Sequence, residues 1–199
     1  MILYFHGFAS SGNSAKSQAL AQTFGPHQVI APDFPYDCAA IEDMVEREIF
    51  KAVQNLAEPI VFVGTSLGGF YANYFAAKYD SPAVLINPSI RADLTLQQKI
   101  GKHVNYATNE EFEVTEKYVA DLSDWFSYTK ENYNGRRISL FLAENDEVIN
   151  AFETGRQIPH VFKRFVYKDG GHRFEKHWGS VIDHIKKLRS KFYEQPIKI

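Results

Sequence analysis

Gly64-Thr65-Ser66-Leu67-Gly68 has the pattern G-x-S-x-G, and the residues on either side give it meaning. Before it, Pro59-Ile60-Val61-Phe62-Val63 is short, apolar and β-branched, as a buried strand requires. After it, Gly69-Phe70-Tyr71-Ala72-Asn73-Tyr74-Phe75-Ala76-Ala77-Lys78 reads as a helix. A strand, a sharp turn at serine and then a helix would lift the Ser66 hydroxyl off the carboxyl edge of a sheet. Glycine at 64 and 68 leaves room for backbone that a side chain would crowd. The helix would aim its free N–H groups and positive dipole end at an anion forming beside the serine. A glycine-rich turn with an incidental serine is the plainer alternative, and other features of the chain argue against it.

The order of elements is the first of these. Six strands are expected: Ile2–His6, Gln28–Ala31, Ile60–Gly64, Ala83–Asn87, Ile138–Ala143 and Phe162–Tyr167. Most are apolar runs with few charges, the pattern of parallel strands covered on both faces. Helical stretches alternate with them at Ala15–Phe24, Cys38–Leu56, Leu67–Lys78, Ala151–Gln157 and His177–Tyr193. In Cys38–Leu56 the residues Ile41, Met44, Val45, Ile49, Ala52, Val53 and Leu56 fall near a 3.6-residue period. Such alternation indicates an α/β fold, a parallel sheet of about six strands flanked by helices, with right-handed crossovers. Residues Ile90–Gly135 separate two strands by more than one crossover helix needs. They are expected to form a mostly helical cap over the carboxyl edge of the sheet. Its aromatic residues Phe112, Tyr118, Trp125, Phe126, Tyr128 and Tyr133 would mainly pack the cap onto the body. No repeat or linker divides the chain, so residues 1–199 are expected to be one domain.

Bulk composition narrows the function classes. Apolar residues make up 45% and charged residues 23%, which is ordinary for a globular protein. A net charge of −2 provides no electrostatic reason to expect nucleic acid or an anionic membrane as partner. The single cysteine, Cys38, rules out an internal disulfide and agrees with a reducing compartment. The opening Met1-Ile2-Leu3-Tyr4-Phe5 has no basic region or cleavage site of a secretory signal. No apolar run approaches the ~20 residues of a membrane helix. A cytoplasmic protein is therefore expected, and its oligomeric state is open.

A serine hydroxyl becomes a useful nucleophile only beside a base, and the base needs an orienting acid. The strand Ser139-Leu140-Phe141-Leu142-Ala143 runs into Glu144-Asn145-Asp146-Glu147, which puts carboxylates in the loop at its end. Asp146 is the preferred acid, with Glu144 and Glu147 as rivals beside it. The last strand runs into Lys168-Asp169-Gly170-Gly171-His172, where two glycines would let the loop turn His172 back toward the serine. The remaining histidines, His6, His27, His103, His160, His177 and His184, lack that setting. The order Ser66, Asp146, His172 is the order of a Ser-Asp-His hydrolase site on an α/β sheet. His6-Gly7-Phe8-Ala9-Ser10-Ser11-Gly12 follows the first strand, and Phe8 N–H there could join Leu67 N–H in holding an oxyanion. His6 is expected to shape this loop by hydrogen bonding. There is no HExxH and no phosphate-binding glycine loop, so neither a metal nor an organic cofactor is expected.

With these residues assembled, the chain resembles the α/β-hydrolase superfamily and, more narrowly, the small bacterial YqiA-type esterases. The resemblance spans essentially the whole chain. It rests on Ile2-Leu3-Tyr4-Phe5-His6-Gly7-Phe8, on Ser10-Ser11 with Ser14-Ala15-Lys16, and on Gly64-Thr65-Ser66-Leu67-Gly68-Gly69-Phe70-Tyr71-Ala72. It continues in Asn87-Pro88-Ser89-Ile90-Arg91, Asp146-Glu147-Val148 and Gly171-His172-Arg173-Phe174. It implies a minimal form of the fold, with Ser66 as nucleophile, Asp146 as acid and His172 as base. It also implies hydrolysis of carboxylic esters, with acyl thioesters such as acyl-CoA as a further substrate class. The chain departs from the family at Ala92, where a proline is common after arginine, and at Gly171, where asparagine precedes the histidine. Arg91 is expected to anchor the cap by a salt bridge, with an anionic part of a substrate as the alternative.

The function expected is a serine esterase acting on a small ester. An acyl-CoA thioesterase with the same three residues is one alternative. A non-catalytic ligand-binding protein on the same scaffold is the other, and it would have no need of all three residues.

Overall fold

The computed structural model describes residues 1–56 and 60–192. Pro59 and Tyr193, expected at the start of a strand and the end of the last helix, lie outside the described residues, as do the side chains of Ala52, Val53 and Leu56.

Alternation of short apolar runs with amphipathic ones yields the expected layers. The main sheet contains β1 (Ile2–Phe5), β2 (Val29–Ile30), β3 (Val61–Thr65), β4 (Ala83–Ile86), β7 (Ile138–Ala143) and β8 (Lys163–Tyr167). A smaller two-stranded sheet, β5 (Gly101–Val104) with β6 (Glu111–Val114), lies between β4 and β7 in the chain. The main sheet has the order β2-β1-β3-β4-β7-β8, and every neighbouring pair is parallel. Phe5 stands opposite Gly64, and Thr65 opposite Ile86. The loops that begin at His6, Ser66, Asn87 and Glu144 therefore leave one edge of the sheet together.

Side chains alternate across each strand, and the core divides accordingly. Ile2, Tyr4, Val61, Val63, Val84, Ile86 and Phe141 pack against α1 (Ala15–Phe24) and α7 (Trp178–Phe192). Leu3, Phe5, Phe62, Leu85 and Leu140 face α2 (Cys38–Leu56), α3 (Leu67–Tyr79) and α5 (Glu116–Glu131). α3 is buried from Leu67 through Ala76, so it has no polar face: the sheet lies on one side and α5 on the other. α6 (Ala151–Gln157) crosses between β7 and β8.

The segment between β4 and β7 differs in one respect from the mostly helical cap expected. α4 (Ala92–Gln97) and α5 are joined by an antiparallel hairpin of β5 and β6. Each strand is four residues long and exposes Lys102, Val104, Glu111 and Glu113 on one side. Its other side carries His103 and Phe112, which are paired in register with ring centroids 5.5 Å apart. A period-2 signal this short and this charged is lost in sequence beside the long amphipathic helix that follows. A hairpin of this size is held by what it packs against, not by its own pairing.

The aromatic residues of α5 dock the segment as expected. Trp125 stacks on Tyr74 at 4.0 Å and meets Tyr71 and Phe75 edge-on. Tyr118 and Tyr71 share a buried hydrogen bond between their hydroxyls. Arg91 binds both oxygens of Asp93, at 2.9 and 2.6 Å, and lies 4.4 Å over the Phe126 ring. Its salt bridge is thus internal to the start of α4, and its stacking over Phe126 ties α4 to α5.

One buried polar pair makes stability depend on pH. His184 Nε2 lies 2.8 Å from Ser139 Oγ, between α7 and β7, and both residues are buried. Burial, with Lys163 and Lys187 nearby, pushes the imidazole down to about 4 from its ordinary 6.5. The neutral form is therefore the folded one. Its stabilisation is complete above about pH 6.5 and is lost as the pH falls toward 4. Wild type is expected to lose about 2–3 kcal/mol more than His184→Gln between pH 7.5 and 4.5, read from urea midpoints. Equal losses in the two proteins would refute this assignment.

Candidate active site

Ser66 sits in the turn from β3 to α3 with φ 54° and ψ −119°. This conformation is strained for any residue with a Cβ and stores about 1–3 kcal/mol. The surroundings hold it there. Ser66 N–H donates to Ile86 carbonyl at 3.0 Å, and Ser66 carbonyl accepts from Gly69 and Ser89 N–H at 2.9 and 3.0 Å. The turn closes only because of its glycines. A Cβ on Gly64 would lie 2.0 Å from Gly68 carbonyl oxygen, and one on Gly68 would lie 2.1 Å from Phe5 carbonyl oxygen. The hydroxyl is thereby raised above the sheet edge at the start of a 13-residue helix.

The loop after β7 brings Asp146 to this edge. Its side chain is fully shielded from solvent, and Oδ1 accepts from Val148 and Ile149 N–H, both at 2.8 Å. Burial alone would raise its pKa. The His172 ring and these two amides outweigh it and hold the carboxyl below the usual carboxylate range. The loop after β8 turns through Gly170 and Gly171, at φ 132° and 59°, and brings His172 over the serine. His172 Nδ1–H donates to Asp146 at 2.9 Å, and Ser66 Oγ lies 3.0 Å from Nε2. The three residues expected from sequence therefore stand in one hydrogen-bonded line. The rivals do other things. Glu147 accepts His172 backbone N–H at 3.0 Å and so helps to hold the loop, while Glu144 is exposed.

The β1–α1 loop crosses directly in front of Ser66, and a Cβ on Gly7 would lie 3.5 Å from the serine Cβ. His6 behaves as expected of a loop-shaping residue. Its Nδ1–H donates to Gly7 carbonyl at 2.8 Å, and Nε2 accepts from Phe34 N–H at 3.2 Å. Burial lowers its pKa and keeps it neutral. Tyr36 hydroxyl accepts from Ala9 N–H at 2.7 Å. The hairpin holds the other side of the loop: Tyr106 N–H donates to Ala9 carbonyl at 3.1 Å, and Asn105 Nδ2 to Ser10 carbonyl at 2.9 Å. The Phe8 ring is boxed edge-on by Tyr36, His103 and Phe112. The peptides around Phe8 are thus pinned, while Phe8 N–H and Leu67 N–H find no acceptor among the described residues.

Asn87 is the residue in this site whose role sequence reasoning missed. It is fully buried at the end of β4 with φ 40°, a conformation asparagine tolerates. Its Oδ1 accepts from Ala143 N–H at 2.9 Å, and its Nδ2 donates to Gly171 and His172 carbonyls at 3.0 and 3.3 Å. One side chain thus joins the end of β7 to the histidine loop. No local pattern marks it, because all three partners are remote in sequence. Asn87→Ala is expected to lower unfolding free energy by about 2–4 kcal/mol, since it orphans a buried N–H and puts alanine in the left-handed region. A urea midpoint equal to that of wild type would refute this.

Ser66 and His172 line a cavity of about 570 Å³, bounded by the β1–α1 loop, the hairpin turn and α4. Among the described residues, no helix is long and apolar enough to cross a membrane.

The UPF0227 protein YcfP of Escherichia coli (strain K12 / DH10B) is 23% identical over 193 residues, covering 96% of this chain and 97% of its own. Among solved structures, one from the study of LipS and LipT, two metagenome-derived lipolytic enzymes, aligns with a TM-score of 0.71. It is 12% identical and covers 96% of this chain and 93% of its own. Alpha/beta hydrolase domain-containing protein 10 from mouse aligns with a TM-score of 0.61 at 15% identity, over 96% of this chain and 90% of its own. At such identities the structural likenesses establish the fold, that of the α/β-hydrolases. The model of the "Uncharacterised protein family (UPF0227)" matches residues 1–190, and the chain belongs to that family.

Proposed function

We propose that this protein is a serine esterase that hydrolyses carboxylic esters through an acyl-enzyme. The reading is carried by the unbroken relay from Ser66 hydroxyl, through both ring nitrogens of His172, to the buried carboxylate of Asp146. The lipolytic enzymes that share the fold support it.

In this mechanism Ser66 Oγ attacks the ester carbonyl carbon while His172 Nε2 takes its proton. The imidazolium is stabilised by Asp146 at Nδ1. The carbonyl oxygen becomes an oxyanion held by Leu67 and Phe8 N–H, each contributing about 3–4 kcal/mol to the transition state. Collapse breaks the carbon–oxygen bond to the alcohol, which leaves with the proton from His172. Water, deprotonated by His172, then attacks the acyl-enzyme, releases the acid and restores Ser66. A thioester would follow the same steps with a thiol leaving.

A fluorophosphonate probe tests the reading directly. Wild type is expected to take up one adduct, mapped to Ser66 by mass spectrometry. A well-folded sample without that adduct would overturn the proposal in favour of a non-catalytic ligand-binding protein.

A further inference from the structure

The cavity at Ser66 is more cationic than the protein that contains it. The chain has a formal net charge of −2, yet Lys16, Lys99 and Arg173 all line this cavity, with Glu175 as the carboxylate among its lining residues. Lys16, in the first turn of α1, is half-buried, with Nζ 5.8 Å over the Trp178 ring. It has no carboxylate within 4.0 Å among the described residues. The charged groups that act on it are Glu175 and Arg173. Glu175 is itself shared with Arg173, at 3.8 Å, and both of those side chains are largely exposed. Lys99 is also without an ion pair among the described residues, and its Nζ lies 5.5 Å over the Phe8 ring.

A partly desolvated ammonium without a close counter-ion is costly unless something else supplies the charge. Lys16 and Arg173 form a cluster beside His172, the group that hands a proton to the departing alcohol. Resting on the esterase reading, we propose that the substrate is an ester whose alcohol portion bears a carboxylate or phosphate, held by Lys16 and Arg173. Lys99, which lines the same cavity, adds to the positive field. Glu175 limits the cluster to a net positive charge and disfavours a cationic alcohol.

The test uses butyrate esters matched in everything but charge. 3-Hydroxybenzoate is compared with its neutral methyl ester as leaving group, and 3-hydroxyphenyl phosphate supplies the phosphate arm. Phenyl hemisuccinate against phenyl butyrate places the charge in the acyl part instead. Wild type is expected to favour an anionic alcohol about tenfold or more in kcat/KM at low salt. The preference should fall toward unity in ~1 M NaCl, because screening shortens the reach of the field. Lys16→Met, which keeps the apolar stem, and Arg173→Gln should each reduce the ratio. A wild-type ratio near one, a preference confined to the acyl arm, or a ratio unchanged in both variants would overturn the proposal. Fluorophosphonate labelling of the same samples keeps the two readings apart. Labelled protein without charge preference refutes only the anionic substrate, whereas unlabelled, inactive protein refutes the esterase as well.

Discussion

Ser66→Ala is expected to lower kcat on p-nitrophenyl butyrate by about 10⁴–10⁶-fold while the fold is retained. Alanine keeps the Cβ and the turn, whose backbone bonds to Ile86, Gly69 and Ser89 do not involve the side chain. Only Oγ is removed, so unfolding free energy should change by no more than about 1 kcal/mol. The residual rate would come from whatever the Leu67 and Phe8 N–H groups still do for attack by water. His172→Ala should cost about as much, and the double variant little more, because the two side chains act as one unit. Turnover within about tenfold of wild type in Ser66→Ala would remove the serine from the chemistry.

What could be read from the sequence was local. The G-x-S-x-G turn is legible because Gly64 and Gly68 are forced by contacts within a few residues and with the first strand. The strands are legible because a buried parallel strand must be apolar along its length. Their ends are less so: β3 runs on to Thr65, and β1 stops at Phe5, since His6 turns away to bind Gly7 and Phe34. Residues whose meaning comes from distant partners were hidden. Asn87 joins Ala143 to Gly171 and His172, Tyr36 holds Ala9, and Asn105 reaches Ser10. The hairpin β5–β6 was hidden for the same reason, because its apolar side is complete only against Phe8 and Tyr36. The cationic cluster is likewise a tertiary product: Lys16 and Arg173 are far apart in sequence and approach only where α1 meets the histidine loop.

Asp146→Asn is expected to lower kcat by about 10⁴-fold, and Glu147→Gln by no more than about tenfold. The contrast follows from what each side chain holds. In the native site Asp146 accepts His172 Nδ1–H, which leaves Nε2 free to take the serine proton. An asparagine can keep Oδ1 on Val148 and Ile149 N–H, so the loop should stand. Its NH₂ would then face Nδ1 and act as donor. The ring would be driven to the tautomer with hydrogen on Nε2, which cannot accept a proton from Ser66. The imidazolium formed during attack would also lose its buried counter-charge. Glu147 accepts from the backbone N–H groups of His172 and of its own peptide and lies in solvent, and glutamine keeps an oxygen for those bonds. Steady-state kinetics on one ester, with circular dichroism to confirm folding, compare the two. If Glu147→Gln were the more damaging change, the acid would have to be reassigned to Glu147.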